Sequence, residues 1–233
     1  ERVMYLSRVS FSQSLATRDF LKYLSQNKYS EHQALWELFD FDPRAKRDFL
    51  FHKIEKRRKP KYYVLSKRPP LSGKKLWHID GPKKYDPCIR EGQVLSFVLR
   101  INPVVTVQEN KREKKNAKSK RVDILTYKKM QMNYRELPFE KKIPPQQLIQ
   151  EGCLEWLEKR SENNGFIFKK NEVIIGGYQK NRAWSKNKSI VYNSADIMGR
   201  LTVCDEEKFK TALYEGIGRG RAFGCGLLLV KKI

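Results

Sequence analysis

The 233-residue chain carries 49 Lys and Arg against 26 Asp and Glu, a formal charge of +23, with 39% hydrophobic and 12% aromatic residues. That content excludes wholesale disorder and allows one large or two small domains. The longest aliphatic run is 227–230 (LLLV), far short of the roughly 20 apolar residues that cross a bilayer, and no apolar stretch follows a basic start as in a signal peptide, so a soluble, cytoplasmic protein without a membrane partner is expected.

Glu1, Arg2 and Val3 precede Met4, which reads as the natural start. Residues 4–11 (MYLSRVSF) alternate between two faces and are rich in strand formers, which predicts a first strand. Residues 30–41 open with Ser30 and carry Gln33 three positions on, a capping-box signature ahead of Leu35, Trp36, Leu38 and Phe39 at helical spacing, so a helix is expected from Glu31. Residues 48–54 and 62–66 read as strands joined by the basic EKRRKPK. Residues 67–91, with Pro69, Pro70, Pro82 and Pro87, are a poor helix candidate holding one strand near 76–79.

Residues 94–107 give a strong strand signal interrupted by Pro103, and 108–121 read as an exposed polar loop. A helix follows over 144–161, with Leu148, Ile149, Cys153, Trp156 and Leu157 at helical spacing. Strands are expected at 166–175 and 197–204, bracketing a polar insert. Asp205, followed by Glu206 and Glu207, caps a helix that ends near Gly216, and 227–230 is the last strand. The second half thus reads β-α-β-β-α-β, the ferredoxin-like plan that RNA-recognition modules also use, and the first half looks like a copy whose second helix is weak or lost. The expectation is an α+β chain of two tandem ferredoxin-like domains, 4–91 and 92–233, the first partly degraded.

The four cysteines, Cys88, Cys153, Cys204 and Cys225, lie far apart without C-x₂-C pairing and read as reduced, mostly buried thiols. The close carboxylates are Asp40 with Asp42, and Asp205-Glu206-Glu207, which capping already explains; with no third carboxylate or metal-spaced histidine beside either, no catalytic metal is expected. No GxxxxGK[ST] phosphate loop is present, so neither NTP hydrolysis nor a cofactor is expected.

A basic surplus must face something anionic. Lys and Arg recur along the whole chain interleaved with Tyr, Trp and Phe, which suits nucleic acid better than a membrane surface. Residues 178–188 (YQKNRAWSKNK) carry Lys180, Arg182, Lys186 and Lys188 with no acid, and read as a basic hairpin shaped for a nucleic-acid groove; 111–121, ending in Lys120 and Arg121, read as a solvated loop able to close on RNA. The stretch 216–226 (GIGRGRAFGCG) suits phosphate approach, with Gly218, Arg219 and Arg221 as contacts, but equally a helix cap and tight turn.

Metal-free acid-base chemistry at neutral pH points to histidine. The capping pattern puts His32 at the second helical position, where free backbone N–H groups disfavour an imidazolium and leave a neutral base, with Tyr29 able to approach the same spot. His32, Leu35, Trp36 and Phe39 also suit a histidine at the edge of an apolar face, and the residue pattern leaves both readings open. His52 and His78 read as structural or surface residues.

MYLSRVSF, YSEHQALW, RDFLFHKIEKR, FVLRINP and GIGRGRAFGCGLLLV, in this order, resemble the CasE family, endoribonucleases that process precursor RNA in type I-E CRISPR systems. The likeness spans nearly the whole chain from Met4. It implies two tandem ferredoxin-like domains that bind the repeat stem-loop, cut at its 3′ base without metal, and keep the crRNA product within Cascade alongside the other subunits. By position, Tyr29 and His32 would form the catalytic pair, the glycine-rich loop would lie near RNA backbone, and 180–188 would bind the stem. Some relatives use a lysine shortly after the histidine; here Ala34, Leu35, Trp36 and Glu37 stand there, so Arg182 or Arg219 would have to supply that charge. The rival from another class is a non-catalytic, ribosomal-protein-like RNA-binding module, with a DNA-binding protein third.

Overall fold

The structure, a computed structural model, describes residues 3–12, 31–40, 48–54, 60–71, 76–108, 119–185 and 188–233. The first sheet is built from β1 (Tyr5–Phe11), β2 (Phe49–Ile54), β3 (Lys61–Ser66) and β4 (Trp77–Lys84), with α1 (Glu31–Trp36) between β1 and β2. Its order β2-β3-β1-β4, antiparallel throughout, is that of a ferredoxin-like sheet. Alternation sends Val9 and Phe11, Phe49 and Phe51, Tyr62 and Val64, and Trp77 to one face, where Leu35, Leu38 and Phe39 cover them.

Two boundaries differ from expectation. The first helix stops at Trp36 because the amides of Glu37, Leu38 and Phe39 bond back only three residues, tightening the chain so that Leu38 and Phe39 both turn inward. Strand β4 runs on to Lys84, through a register shift opposite Leu6 and Arg8; Pro82 is tolerated because the strand lies at the sheet edge. Among the described residues no helix separates β3 from β4, in keeping with a degraded first repeat.

The second sheet contains β5 (Val94–Ile101), β8 (Phe166–Ile167), β9 (Val173–Ser185), β10 (Lys188–Val203) and β11 (Leu228–Lys232), in the order β11-β5-β10 with β8 and β9 both on β10, again the ferredoxin-like arrangement. Leu95, Phe97, Leu99 and Ile101 line its inner face. Against them pack Ile149, Cys153, Trp156 and Leu157 of α3 (Pro145–Ser161) and Phe209 and Leu213 of α4 (Glu206–Glu215). Asp205 caps α4, its carboxylate accepting from the Lys208 amide at 3.0 Å.

Several expectations here need correction. The strand signal over 94–107 splits at Asn102–Pro103: β6 (Val104–Gln108) leaves the main sheet and pairs with β7 (Ser119–Asp123) in a sheet of its own. The expected loop 108–121 is therefore partly strand, and Lys120 and Arg121 lie on β7. An unexpected helix, α2 (Ile124–Gln131), follows it, buried only through Ile124. The strand expected at 166–175 breaks into β8 and the start of β9, parted by a 3₁₀ turn at Lys170–Glu172. All four cysteines are free, but only Cys153 and Cys225 are buried; Cys204 is half-buried and Cys88 exposed. The two sheets meet through their other faces, with Met4, Leu50 and Leu65 against Leu227, flanked by Tyr63, Tyr85, Tyr214 and Leu229. No helix among the described residues is long and apolar enough to cross a membrane.

Candidate nucleic-acid interface

The polar insert between the strand signals is one long hairpin of β9 and β10, paired from Gly199 with Val173 out to Lys188 with Ser185. It bends at a bulge beside Ser194 and Asp196, where Gly177 takes a left-handed backbone and a Cβ would come within 2.9 Å of the Asp196 carboxylate. Asp196 is held by the Arg100 guanidinium through bonds of 2.7 and 2.9 Å, so the bend rests on an ion pair inside the sheet. Beyond it, Lys180 and Arg182 are exposed and, two residues apart on one strand, share a face. Lys188 pairs within the hairpin through its backbone. Lys186 lies outside the described residues.

The hairpin is tied to the small sheet. Tyr178 donates to the Asp123 carboxylate at 2.7 Å and accepts from the Asn193 amide at 3.0 Å, while the same Asp123 oxygen accepts from the Leu125 amide at the start of α2. Burial, then the bond to Asp123, pushes the Tyr178 phenol well above its ordinary range, so it remains a neutral donor. One carboxylate thereby joins the strand bearing the exposed Lys120 and Arg121 to the strand bearing Lys180 and Arg182. Two strands that are far apart in the sequence, each bearing exposed cations, are tied together at this one carboxylate.

The glycine-rich stretch is a folded loop rather than an open cradle. The Ile217 amide donates to the Gly226 carbonyl at 2.8 Å, the Arg221 guanidinium donates to the Gly216 carbonyl at 3.2 Å, and residues 224–226 are buried. Arg221 thus helps to close the loop, and Gly216 caps the preceding helix, its amide bonding the Ala212 carbonyl at 2.9 Å. Gly218 takes a left-handed backbone with its Cα against the Trp156 ring, which a Cβ would approach within 2.7 Å. Arg219 is exposed beside it.

Sequence reasoning missed Arg160. Its guanidinium lies 4.0 Å from the Trp156 ring centroid and donates to the Trp156 carbonyl at 2.9 Å. Burial, then the charge of Arg219, holds its pKa below the ordinary value. Among the described residues neither Arg160 nor Arg219 forms an ion pair with a carboxylate. Two neighbouring cations without a counter-charge make a place for an anion such as a phosphodiester.

The loop's short turn, Arg221–Phe223, packs on α1 and β2. His32 is the second residue of α1, so the helix expected to carry catalysis and the glycine-rich loop adjoin. Tyr29 lies outside the described residues. The other histidines have structural settings: His78 is exposed and bonds Asp80 at 3.2 Å, beside the Arg8–Asp80 pair, and His52 is buried between the sheets. Among the described residues no group of three or more His, Cys, Asp or Glu side chains is placed to hold a metal ion.

The chain matches the family described as CRISPR associated protein over residues 4–232. It is 28% identical over 232 residues, 97% of this chain and 98% of the relative, to the CRISPR system Cascade subunit CasE of Escherichia coli. It is 28% identical over 159 residues, 64% of this chain and 61% of the relative, to the CRISPR-associated endoribonuclease Cse3 of Thermus thermophilus. The solved structure of Thermus thermophilus Cse3 bound to an RNA representing a pre-cleavage complex superposes with a TM-score of 0.68 at 23% identity, covering 98% of this chain and 99% of that one, which establishes the shared fold.

Proposed function

The chain belongs to the CRISPR associated protein family, and from that premise we propose that it is an endoribonuclease that binds the stem-loop of a CRISPR repeat RNA, cuts at the 3′ base of the stem, and keeps the crRNA product as it joins the other Cascade subunits. Division at residues 91 and 92 would leave the first sheet in one ferredoxin-like unit and the second sheet, with the small β6–β7 sheet, in the other. The observation that carries this reading is the packing of α1, which bears His32, on the glycine-rich loop, in a chain of charge +23 whose long hairpin projects Lys180 and Arg182.

The chemistry follows from the substrate. RNA carries its own nucleophile, a 2′-hydroxyl next to the scissile phosphate. One protein group takes the proton from that hydroxyl as its oxygen bonds to phosphorus, the P–O5′ bond breaks, and a second group returns a proton to the departing O5′. The products are a 2′,3′-cyclic phosphate and a 5′-hydroxyl, with no water or metal ion consumed. His32 and Tyr29 share the two proton transfers, and a nearby arginine, Arg219 or Arg182, offsets charge on the five-coordinate phosphorus.

The test is incubation of the protein with labelled repeat hairpin RNA, with the same hairpin carrying one 2′-deoxy nucleotide at the cut, and with duplex DNA, each in excess EDTA. Only the all-RNA hairpin should be cut, at one position, leaving a cyclic phosphate. Cleavage of the 2′-deoxy hairpin, or activity that requires added Mg²⁺, overturns the mechanism. Binding without any cleavage makes the protein an RNA-binding module instead.

A further inference from the structure

The turn Arg221–Phe223 faces two ways. On one side it packs against α1 and β2. On the other, the Phe223 ring stacks on Tyr192 of β10, with centroids 4.5 Å apart and planes 21° from parallel. Tyr192 stands opposite Asn181, between the rung that pairs Arg182 with Val191 and the rung that pairs Lys180 with Asn193. Strand alternation turns Tyr192 and Asn181 to the face of the strand pair opposite Lys180 and Arg182, so the stack grips the back of the hairpin whose front bears the exposed cations. The turn itself is braced, with the Phe223 amide bonding the Gly220 carbonyl at 2.8 Å and the Arg221 guanidinium bonding the Gly216 carbonyl at 3.2 Å. The Phe223 ring is thus carried on a braced turn whose backbone lies beside α1.

We infer that the Tyr192–Phe223 stack links RNA seated on the hairpin to the placement of α1, which makes Phe223 a positioning residue for cleavage. This rests on the RNA-processing reading above. Phe223 acts by holding the turn on which α1 packs. Stacked aromatic pairs contribute modestly, so the rate should depend on this one by about three- to tenfold.

The experiment measures the single-turnover cleavage rate at saturating repeat hairpin, together with the RNA dissociation constant and the melting temperature. Phe223→Ala should lower the rate by about three- to tenfold while the dissociation constant stays within about twofold. Phe223→Tyr, which keeps the ring, should restore the rate. Tyr192→Leu should lower the rate to a similar degree, and Phe223→Ala combined with Tyr192→Leu should cost no more than the worse single change, because both remove the same stack. Losses that multiply in the double variant, rates equal to wild type, or a loss seen only in affinity each overturn the inference. If Phe223→Ala does not fold, Phe223→Leu keeps the apolar bulk without the ring and carries the same expectations. A wild-type protein that binds the hairpin without cutting it removes the functional reading and the inference with it, whereas a cutting wild type with unaffected variants removes the inference alone.

Discussion

On the proposed mechanism, one positioned imidazole at His32 would contribute to rate rather than to affinity. A proton donor or acceptor is typically worth about 10²–10⁴ in rate, while RNA affinity is summed over many phosphate contacts spread along the basic surface. His32→Ala should therefore bind the repeat hairpin nearly as wild type does and cleave it at least about a hundredfold more slowly, the lower end of that range. Tyr29→Phe should lose less, since only a hydroxyl goes. The check is a single-turnover rate beside a binding isotherm, with melting to confirm the fold and His32→Gln in reserve if the alanine variant unfolds. Wild-type cleavage by His32→Ala would make it the histidine at the edge of an apolar face and send the search to the glycine-rich loop. His32 stands out in the sequence because a capping signature and an apolar run coincide there. Arg160 does not, because a basic residue in the last turn of a helix looks like any other; the faint clue is Trp156 four residues earlier, on the same helix face.

At the scale of elements, the hairpin was legible because four basic residues and no acid, with Tyr178 and Trp184, fill a stretch bounded by strand signals. Its bend at Gly177 and Asp196 was not, since it depends on Arg100, 96 positions away from Asp196. Strand β7 and helix α2 were missed for a related reason. Lys120 and Arg121 carry the composition of a loop, and α2 buries only Ile124, so neither has an apolar period to read. Their order comes from pairing with β6 and from the cap at Asp123. If the hairpin holds RNA by charge, replacing Lys180, Arg182, Lys186 and Lys188 with alanine should weaken binding and flatten the dependence of log affinity on log salt, by up to roughly 0.7–0.9 for each phosphate no longer neutralised. Titrations at several salt concentrations measure this directly. An unchanged slope would show that the segment is only a solvated strand pair.

For the whole molecule, the contact between the two sheets was the least legible feature, because every residue in it reads locally as part of its own strand. Leu50 and His52 alternate on β2 toward the second sheet while Phe49 and Phe51 turn to the first sheet's own core, and nothing in FLFHKI marks which face will be covered twice. His52 records that coverage chemically. Burial first, then the charge of Arg100, lowers its pKa from 6.5 to about 4, Asp196 opposing in part, and its Nδ1 has no hydrogen-bond partner among the described residues. The folded chain keeps this imidazole neutral where the unfolded chain would protonate it, so between those two values the unfolded state binds more protons and stability rises with pH. The contribution is intact above about pH 6.5 and is withdrawn as the pH falls toward about 4, at a cost approaching about 3 kcal/mol if the interface stays closed. His52→Leu removes the titrating group together with its unpartnered Nδ1, and leaves an apolar side chain beside Leu50 and Leu65. Urea unfolding at pH 7 and pH 4.5 should show the wild type losing more stability on acidification than His52→Leu does, the carboxylate contribution being common to both. Equal losses would mean that water reaches His52 in the folded state and that the two sheets part more readily than their packed leucines imply.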